Sequence, residues 1–217
     1  MPSPDSTSPA SQANEWELRY LQGDVHWDRG SASPPLLQYM AAHPLRGRVL
    51  VPGCGRGNDV AGLAHAGVDV TGLDIAPTAV REARERYPEI AERFVTGDLF
   101  DLASDYRDAF DIVVEHTCLS GMPPSLRPHY RRGVEAALKP GGLLVGVWFI
   151  NPNLAPGESG PPFPLSVDEL DRLFADGFEV IDDYVPDVAF EGREGRERVR
   201  VLRRWFAGGA SGGRRSG

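Results

Sequence analysis

Arg48-Val-Leu-Val-Pro-Gly-Cys-Gly-Arg-Gly-Asn-Asp59 passes from a short apolar run directly into three glycines at alternate positions. Val49, Leu50 and Val51 show no polar alternation, the pattern of a parallel strand buried on both faces. The turn that follows lies at the strand's carboxyl end, where open α/β sheets place their ligands. Gly53, Gly55 and Gly57 permit positive φ and a close approach of backbone to ligand that side chains would obstruct. Seventeen residues past Gly57, a second strand over 68–74 ends in Asp74, placed to hold a ribose hydroxyl pair. Glycine turn and strand-end acid together point to a bound nucleoside.

The ligand class follows by elimination. A dinucleotide fingerprint counted from Gly53 requires glycine at position 58, and Asn58 stands there. Asp59, in the first turn of the next helix, would face the place where a pyrophosphate takes N–H groups and the helix dipole. A phosphate-cradling P-loop needs a lysine after its last glycine, whereas the chain's only lysine is Lys139. What fits is a nucleoside without phosphates, and S-adenosylmethionine, with adenine, ribose, sulfonium and amino-acid tail, meets that description. The bland alternative is a glycine-rich turn with no ligand.

At 217 residues and 41% hydrophobic content, the chain is sized for one α/β domain. A net charge of −8 and a pI near 5.1 argue against the basic face that nucleic-acid binding needs, so a small-molecule partner is expected. Residues 1–13 are Ser/Pro-rich without the apolar core of a signal peptide, which predicts a disordered tail and a cytoplasmic protein. The longest apolar run, 143–150, is far short of the roughly 20 residues that span a bilayer. Cys54 and Cys118 are too few for a disulfide framework, and no His/Cys/Glu grouping has metal-ligand spacing. A monomer without metal is expected.

In chain order, residues 14–22 read as a short helix capped by Asn14 and carrying Trp16, Leu18 and Tyr20. A loop, His26-Trp-Asp-Arg-Gly30, leads to a helix with proline in its first turn from Ser33. Helices over 59–66 and 77–86 alternate with strands over 49–51 and 68–74, hence a parallel sheet. A third strand within 93–100 carries Asp98 at its end, and a fourth covers 110–115. A helix over 127–138 is stopped by Lys139-Pro-Gly-Gly142, and 143–150 form the fifth strand. Ser166-Val-Asp-Glu169 is a capping box opening a helix to about 175. Segments 178–185 and 198–206 alternate as a closing β pair, with a disordered tail over 207–217. His116, at a strand's carboxyl end, is either a general base or a neutral wall residue.

These residues carry a family resemblance. The chain resembles the thiopurine methyltransferase and plant thiol/halide methyltransferase family of class I S-adenosylmethionine enzymes from about Asn14 to Phe206. Its most specific pieces are the His26–Gly30 loop, Val49-Leu-Val-Pro-Gly-Cys-Gly55, Gly72-Leu-Asp74, Leu126-Arg-Pro128 with Leu138-Lys-Pro-Gly-Gly142, and Gly160-Pro-Pro-Phe163. The resemblance implies a Rossmann-like α/β fold: a seven-stranded, mostly parallel sheet with helices on both faces and a closing antiparallel strand. One domain over 14–206 is expected, its residues 14–45 covering the cofactor, S-adenosyl-L-methionine. Trp16, Tyr20 and Trp27 would close over it, and Gly53, Cys54, Gly55, Asp74, Ile75, Asp98, Leu99, Glu115 and His116 would contact it. Arg29, His116, Phe149 and Phe163 are candidates for the acceptor pocket. Tyr20 replaces a tryptophan of the plant members, and His116 and Phe149 each replace a tyrosine.

The implied reaction is an in-line displacement on the sulfonium methyl by a thiol, thiopurine, thiocyanate or halide. Positioning alone accounts for roughly 7 to 11 kcal/mol of such a barrier, so a dedicated base is optional. Two alternatives stand beside it: an O- or N-methyltransferase using His116 or Glu115 as base, and a module that binds S-adenosylmethionine without turnover.

Overall fold

The computed structural model describes residues 9–150, Pro152 and residues 160–206. Of the tails expected over 1–13 and 207–217, residues 1–8 and 207–217 lie outside the described residues, as does most of the 151–159 loop, whereas 9–13 are helical rather than disordered. Helices α1 (Pro9–Gln22) and α2 (Pro34–Ala42) precede the sheet. Then come β1 (Arg48–Pro52), α3 (Asn58–His65), β2 (Asp69–Asp74), α4 (Pro77–Arg86), β3 (Phe94–Thr96) and β4 (Phe110–His116). The chain continues through α5 (Arg127–Ala137), β5 (Leu138–Phe149), α6 (Val167–Phe174), β6 (Phe178–Tyr184) and β7 (Glu197–Arg204).

The seven strands form one sheet in the order β3-β2-β1-β4-β5-β7-β6. The first five run parallel, and β7 is antiparallel to both its neighbours. The expected architecture is therefore present. Alternate side chains divide the core into two layers. Val49, Val51, Ile112, Val114, Val145 and Val147 pack under α2, α3 and α4. Leu50, Val113, Leu144 and Trp148 pack against Tyr130 and Val134 of α5 and against Leu170 and Phe174 of α6. Helices cover both faces, and the order turns back between β1 and β4, which opens a crevice at the strands' carboxyl ends.

Three expectations are corrected. Helix α1 begins at Pro9, with Asn14 inside it rather than at its cap; proline costs nothing in a first turn, and a Glu15–Arg19 pair supports the next one. Strand β5 begins at Leu138, so Lys139-Pro-Gly-Gly142 lies within a strand instead of before it. There the register jumps from Phe110↔Leu138 to Ile112↔Leu143, and the extra residues form an irregularity pinned by Lys139 Nζ on Asp111 Oδ1 at 2.7 Å. Glu169 does not reach back to its cap. Ser166 Oγ accepts from Glu169 N, but the Glu169 carboxylate pairs with Arg127.

Candidate active site

The glycine turn after β1 takes the conformation its sequence requires, with φ of +62° at Gly53, +53° at Gly55 and +81° at Gly57. A Cβ on Gly53 would lie 2.6 Å from Cys118 Sγ, and one on Gly57 would lie 2.5 Å from the Phe94 ring. The turn is thus wedged between the exit of β4 and strand β3. Across it, Asp74 at the end of β2 is 6% exposed; its Oδ2 accepts from Gly55 N at 2.8 Å and its Oδ1 from Ala76 N at 2.9 Å. Burial pushes this carboxyl up to about 6, against the pull of the two backbone bonds. Asp98 Oδ1 is held by Phe100 N at 2.8 Å.

A cavity of about 320 Å³ occupies the crevice. Gly53, Asp74, Ile75, Asp98 and Leu99 line it on the β1–β3 side. His116, Thr117, Phe149, Pro161, Pro162 and Arg193 line it on the side of β4 and β5. Thr117 has φ +65°, an uncommon conformation for a β-branched residue, held by Ser120 Oγ donating to its carbonyl at 3.0 Å.

Helix α1 and the loop after it roof the cavity. The Trp27 ring meets Trp16 edge-on at 5.2 Å and Tyr20 at 5.8 Å, and all three line the space beneath. Asp28 clasps the loop to the glycine turn, accepting from Asn58 Nδ2 at 2.6 Å and Arg56 Nη1 at 3.2 Å. The Glu17 carboxylate accepts from Thr78 N at 2.9 Å and Thr78 Oγ1 at 2.7 Å. It thereby serves the first turn of α4, whose own cap residue, Ala76, has no side-chain bond to offer. Glu17→Ala is expected to cost about 1 kcal/mol, as other lost helix caps do. Amide exchange over residues 14–22 should accelerate in that variant while the sheet amides stay protected; unchanged exchange would place the anchor elsewhere.

His116 Nδ1 lies 2.7 Å from Asp59 Oδ2, and Asp59 Oδ1 accepts from Ser33 N at 2.7 Å. Burial alone would lower the His116 pKa, but the Asp59 charge and hydrogen bond, with Glu197 behind, raise it to about 9. The Asp59 pairing favours the charged imidazole and occupies its Nδ1. Asp59 does not face an empty pyrophosphate site; both of its oxygens are engaged.

Some sequence candidates lie off the cavity wall. Cys54 turns away and packs by Gly72, and Gly55 is spent on Asp74. Glu115 is 1% exposed, with its oxygens on Tyr130 Oη and Leu119 N, so it is not poised as a base. Phe163 is held by its own N–H on Ser120 O at 2.6 Å, and its prolines Pro161 and Pro162 face the cavity in its place. Arg29 lines the cavity, as do Arg193 and Gln12, two residues the sequence reading did not single out. Among the described residues no His/Cys/Asp/Glu group could hold a metal, and no helix is long and apolar enough to cross a membrane.

The β1 turn, the acid at the end of β2 and the roofed crevice at the switch point form a site of the kind that open α/β sheets offer a nucleoside ligand. Residues 11–204 match the family described as thiopurine S-methyltransferase (TPMT), and the chain belongs to that family. It is 32% identical to probable thiol methyltransferase 2 of Arabidopsis thaliana over 196 residues, 88% of this chain and 83% of that protein. It is 30% identical, with the same coverage, to thiocyanate methyltransferase 1 of Brassica oleracea. Among solved structures, the Burkholderia thailandensis 1,6-didemethyltoxoflavin-N1-methyltransferase with bound S-adenosylhomocysteine shares the fold at a TM-score of 0.67 and 22% identity, over 94% of this chain and 93% of that one.

Proposed function

We propose that the chain transfers a methyl group from S-adenosylmethionine to a small soft nucleophile, a thiol or an inorganic anion such as thiocyanate or a halide. The observation that carries this reading is the make-up of the β4–β5 side of the cavity. Its walls are apolar (Phe149, Pro161, Pro162 and Met122), its charged groups are the cations Arg29, Arg193 and His116, and neither candidate base is free to take a proton.

When bound, S-adenosylmethionine supplies an electrophilic methyl group. Its fit to the residues rests on Gly53, whose side-chain-free backbone lines the cavity, and on Asp74, whose two backbone bonds leave lone pairs for ribose hydroxyls. Ile75 and Leu99 would offer apolar surface to the adenine, Asp98 an acceptor, and Trp16, Tyr20 and Trp27 would exclude water from above. A thiol with a pKa near 8.5 is already a few per cent thiolate at neutral pH, so the enzyme need only orient it. An alcohol or amine would need a base that this wall does not provide.

The test is transfer of a labelled methyl group to a panel of an aromatic thiol, thiocyanate, iodide, and the phenol and aniline analogues of the thiol. The thiol and the anions should be labelled at least tenfold faster than the phenol and aniline. A phenol that outruns the thiol would replace this reading by a base-assisted O-methyltransferase. A cytoplasmic location is the one we put forward, supported by two cysteines left as free thiols, and a monomer is its simplest form.

A further inference from the structure

The His26–Gly30 loop, which carries Trp27 into the roof, has little apolar hold of its own. His26, Arg29 and Gly30 are exposed, and Trp27 alone packs, with Trp16 and Tyr20 and onto the cluster that Tyr20 forms with Ala76 and Ala79 at the start of α4. The rest of the attachment gathers on one carboxylate. The Asp28 side chain is 10% exposed. Its Oδ1 accepts from Gly30 N at 2.9 Å and Asn58 Nδ2 at 2.6 Å, and its Oδ2 from Arg56 Nη1 at 3.2 Å, with Arg86 Nη1 at 3.7 Å behind. Burial alone would raise the Asp28 pKa, but these bonds outweigh it and hold the carboxyl below its ordinary value, so the clasp is anionic at neutral pH.

The partners of Asp28 stand on the glycine turn and on α4. Arg56 and Asn58 lie on either side of Gly57, whose φ of +81° bends the chain between them. Each is fixed from its far side: Glu82 of α4 accepts from Arg56 Nε at 2.7 Å, and Asn58 Oδ1 accepts from Tyr87 Oη at 2.9 Å. The tyrosine bond sets which way the Asn58 amide faces, oxygen to Tyr87 and nitrogen to Asp28. Arg86 adds a bond from its Nη2 to Gly30 O at 3.1 Å. Asp28, Arg56 and Asn58 do not line the cavity, whereas Gly53 of the same turn and Trp27, the residue before Asp28, both do. A polar path therefore runs outside the cavity from its floor to its roof.

From this geometry we infer that Asp28 is a positioning residue of the cofactor site, which fixes Trp27 over the bound cofactor by gripping Arg56 and Asn58 of the glycine turn. It touches no reacting atom and acts through the neighbouring ring. One turn carries both the cofactor contact at Gly53 and the clasp at Arg56 and Asn58, so cofactor binding and roof closure are coupled. By linkage, whatever factor the cofactor adds to roof closure the closed roof returns to cofactor affinity. The inference takes the cofactor from the methyl-transfer reading above and adds what retains it.

The experiment uses the full chain with S-adenosylhomocysteine as the probe. Its association and dissociation rates are measured by stopped flow, and the indole N–H resonance of Trp27 is followed by NMR. In the wild type that resonance should shift on binding, while Trp148, fully buried in the core, stays in place. In Asp28→Ala, dissociation should quicken at least tenfold with association changed less than threefold, and the Trp27 shift should shrink. Asp28→Asn keeps an acceptor oxygen but no charge and should fall between. Asn58→Ala should quicken dissociation at least threefold, and the double variant should stay within twofold of Asp28→Ala, because both residues act through one clasp. A residue that only supported the fold would lower the melting temperature with and without the probe alike and leave its dissociation rate unmoved. An unmoved Trp27 resonance in the wild type, wild-type dissociation from folded Asp28→Ala, or additive effects in the double variant would overturn the inference. Should Asp28→Ala fail to fold, the dissociation rates of Asp28→Asn and Asn58→Ala decide it. A wild type that binds the probe yet labels no thiol or anion would sink the methyl-transfer reading alone, whereas variants that release the probe at the wild-type rate would sink this inference alone.

Discussion

Asp74→Ala is expected to weaken S-adenosylhomocysteine binding by at least about a hundredfold. Two hydrogen bonds from ribose hydroxyls to a carboxylate, at roughly 1.5 kcal/mol each or more, already account for that factor. The same substitution frees Gly55 N and Ala76 N, so the glycine turn loses the acceptor that fixes it. Asp74→Asn keeps one acceptor oxygen and should fall between the two. Because burial holds the Asp74 carboxyl near 6, wild-type affinity should also weaken as the pH drops through that value and the group protonates. Calorimetry on variants with unchanged circular dichroism measures both effects, and affinity that survives Asp74→Ala would remove Asp74 from the site.

Arg127→Ala should lower the melting temperature by about 6 to 12 °C and raise the acceptor KM about tenfold while leaving cofactor affinity within twofold. Arg127 is 1% exposed. One of its guanidinium nitrogens pairs with Glu169 and another donates to Pro164 O at 2.8 Å, tying the Pro161–Pro162 wall to α5 and α6. Removing one partner of a buried pair costs about 3 to 5 kcal/mol, and the partial exposure of Glu169 favours the lower figure. At about 2 to 4 °C per kcal/mol for a chain of this size, the melting shift follows. A cofactor affinity that falls as far as acceptor affinity would show that the segment does not serve the acceptor side alone.

The first four strands and the helices between them were legible because each carries a local signal: a buried apolar run, a proline at a helix start, a glycine turn. Long-range pairing carries no such signal. The 178–185 and 198–206 segments read as a pair, and β6 and β7 do pair, but the insertion of β7 between β5 and β6 depends on contacts with a strand some fifty residues earlier. The Lys139-Pro-Gly-Gly142 stretch was read as punctuation although tertiary pairing carries it into β5. In the site, residues at strand ends were found by position, whereas Arg193 belongs to a loop with no motif. Glu115 could have been placed better from the sequence. Neighbours on a strand face opposite ways, so with His116 turned toward α3, Glu115 had to meet Tyr130 on the other face. The motifs of 126–128 and 160–163, separate in sequence, prove to be one object joined by Arg127.

The placement of Arg29, Arg193 and His116 on one wall bears on how the enzyme empties. Methylation of an anion cancels its charge, so three cations that would hold such a reactant would lose their purchase on the product in the same event. Turnover of such an acceptor should be sensitive to salt at the stage of capture and indifferent to it at the stage of release.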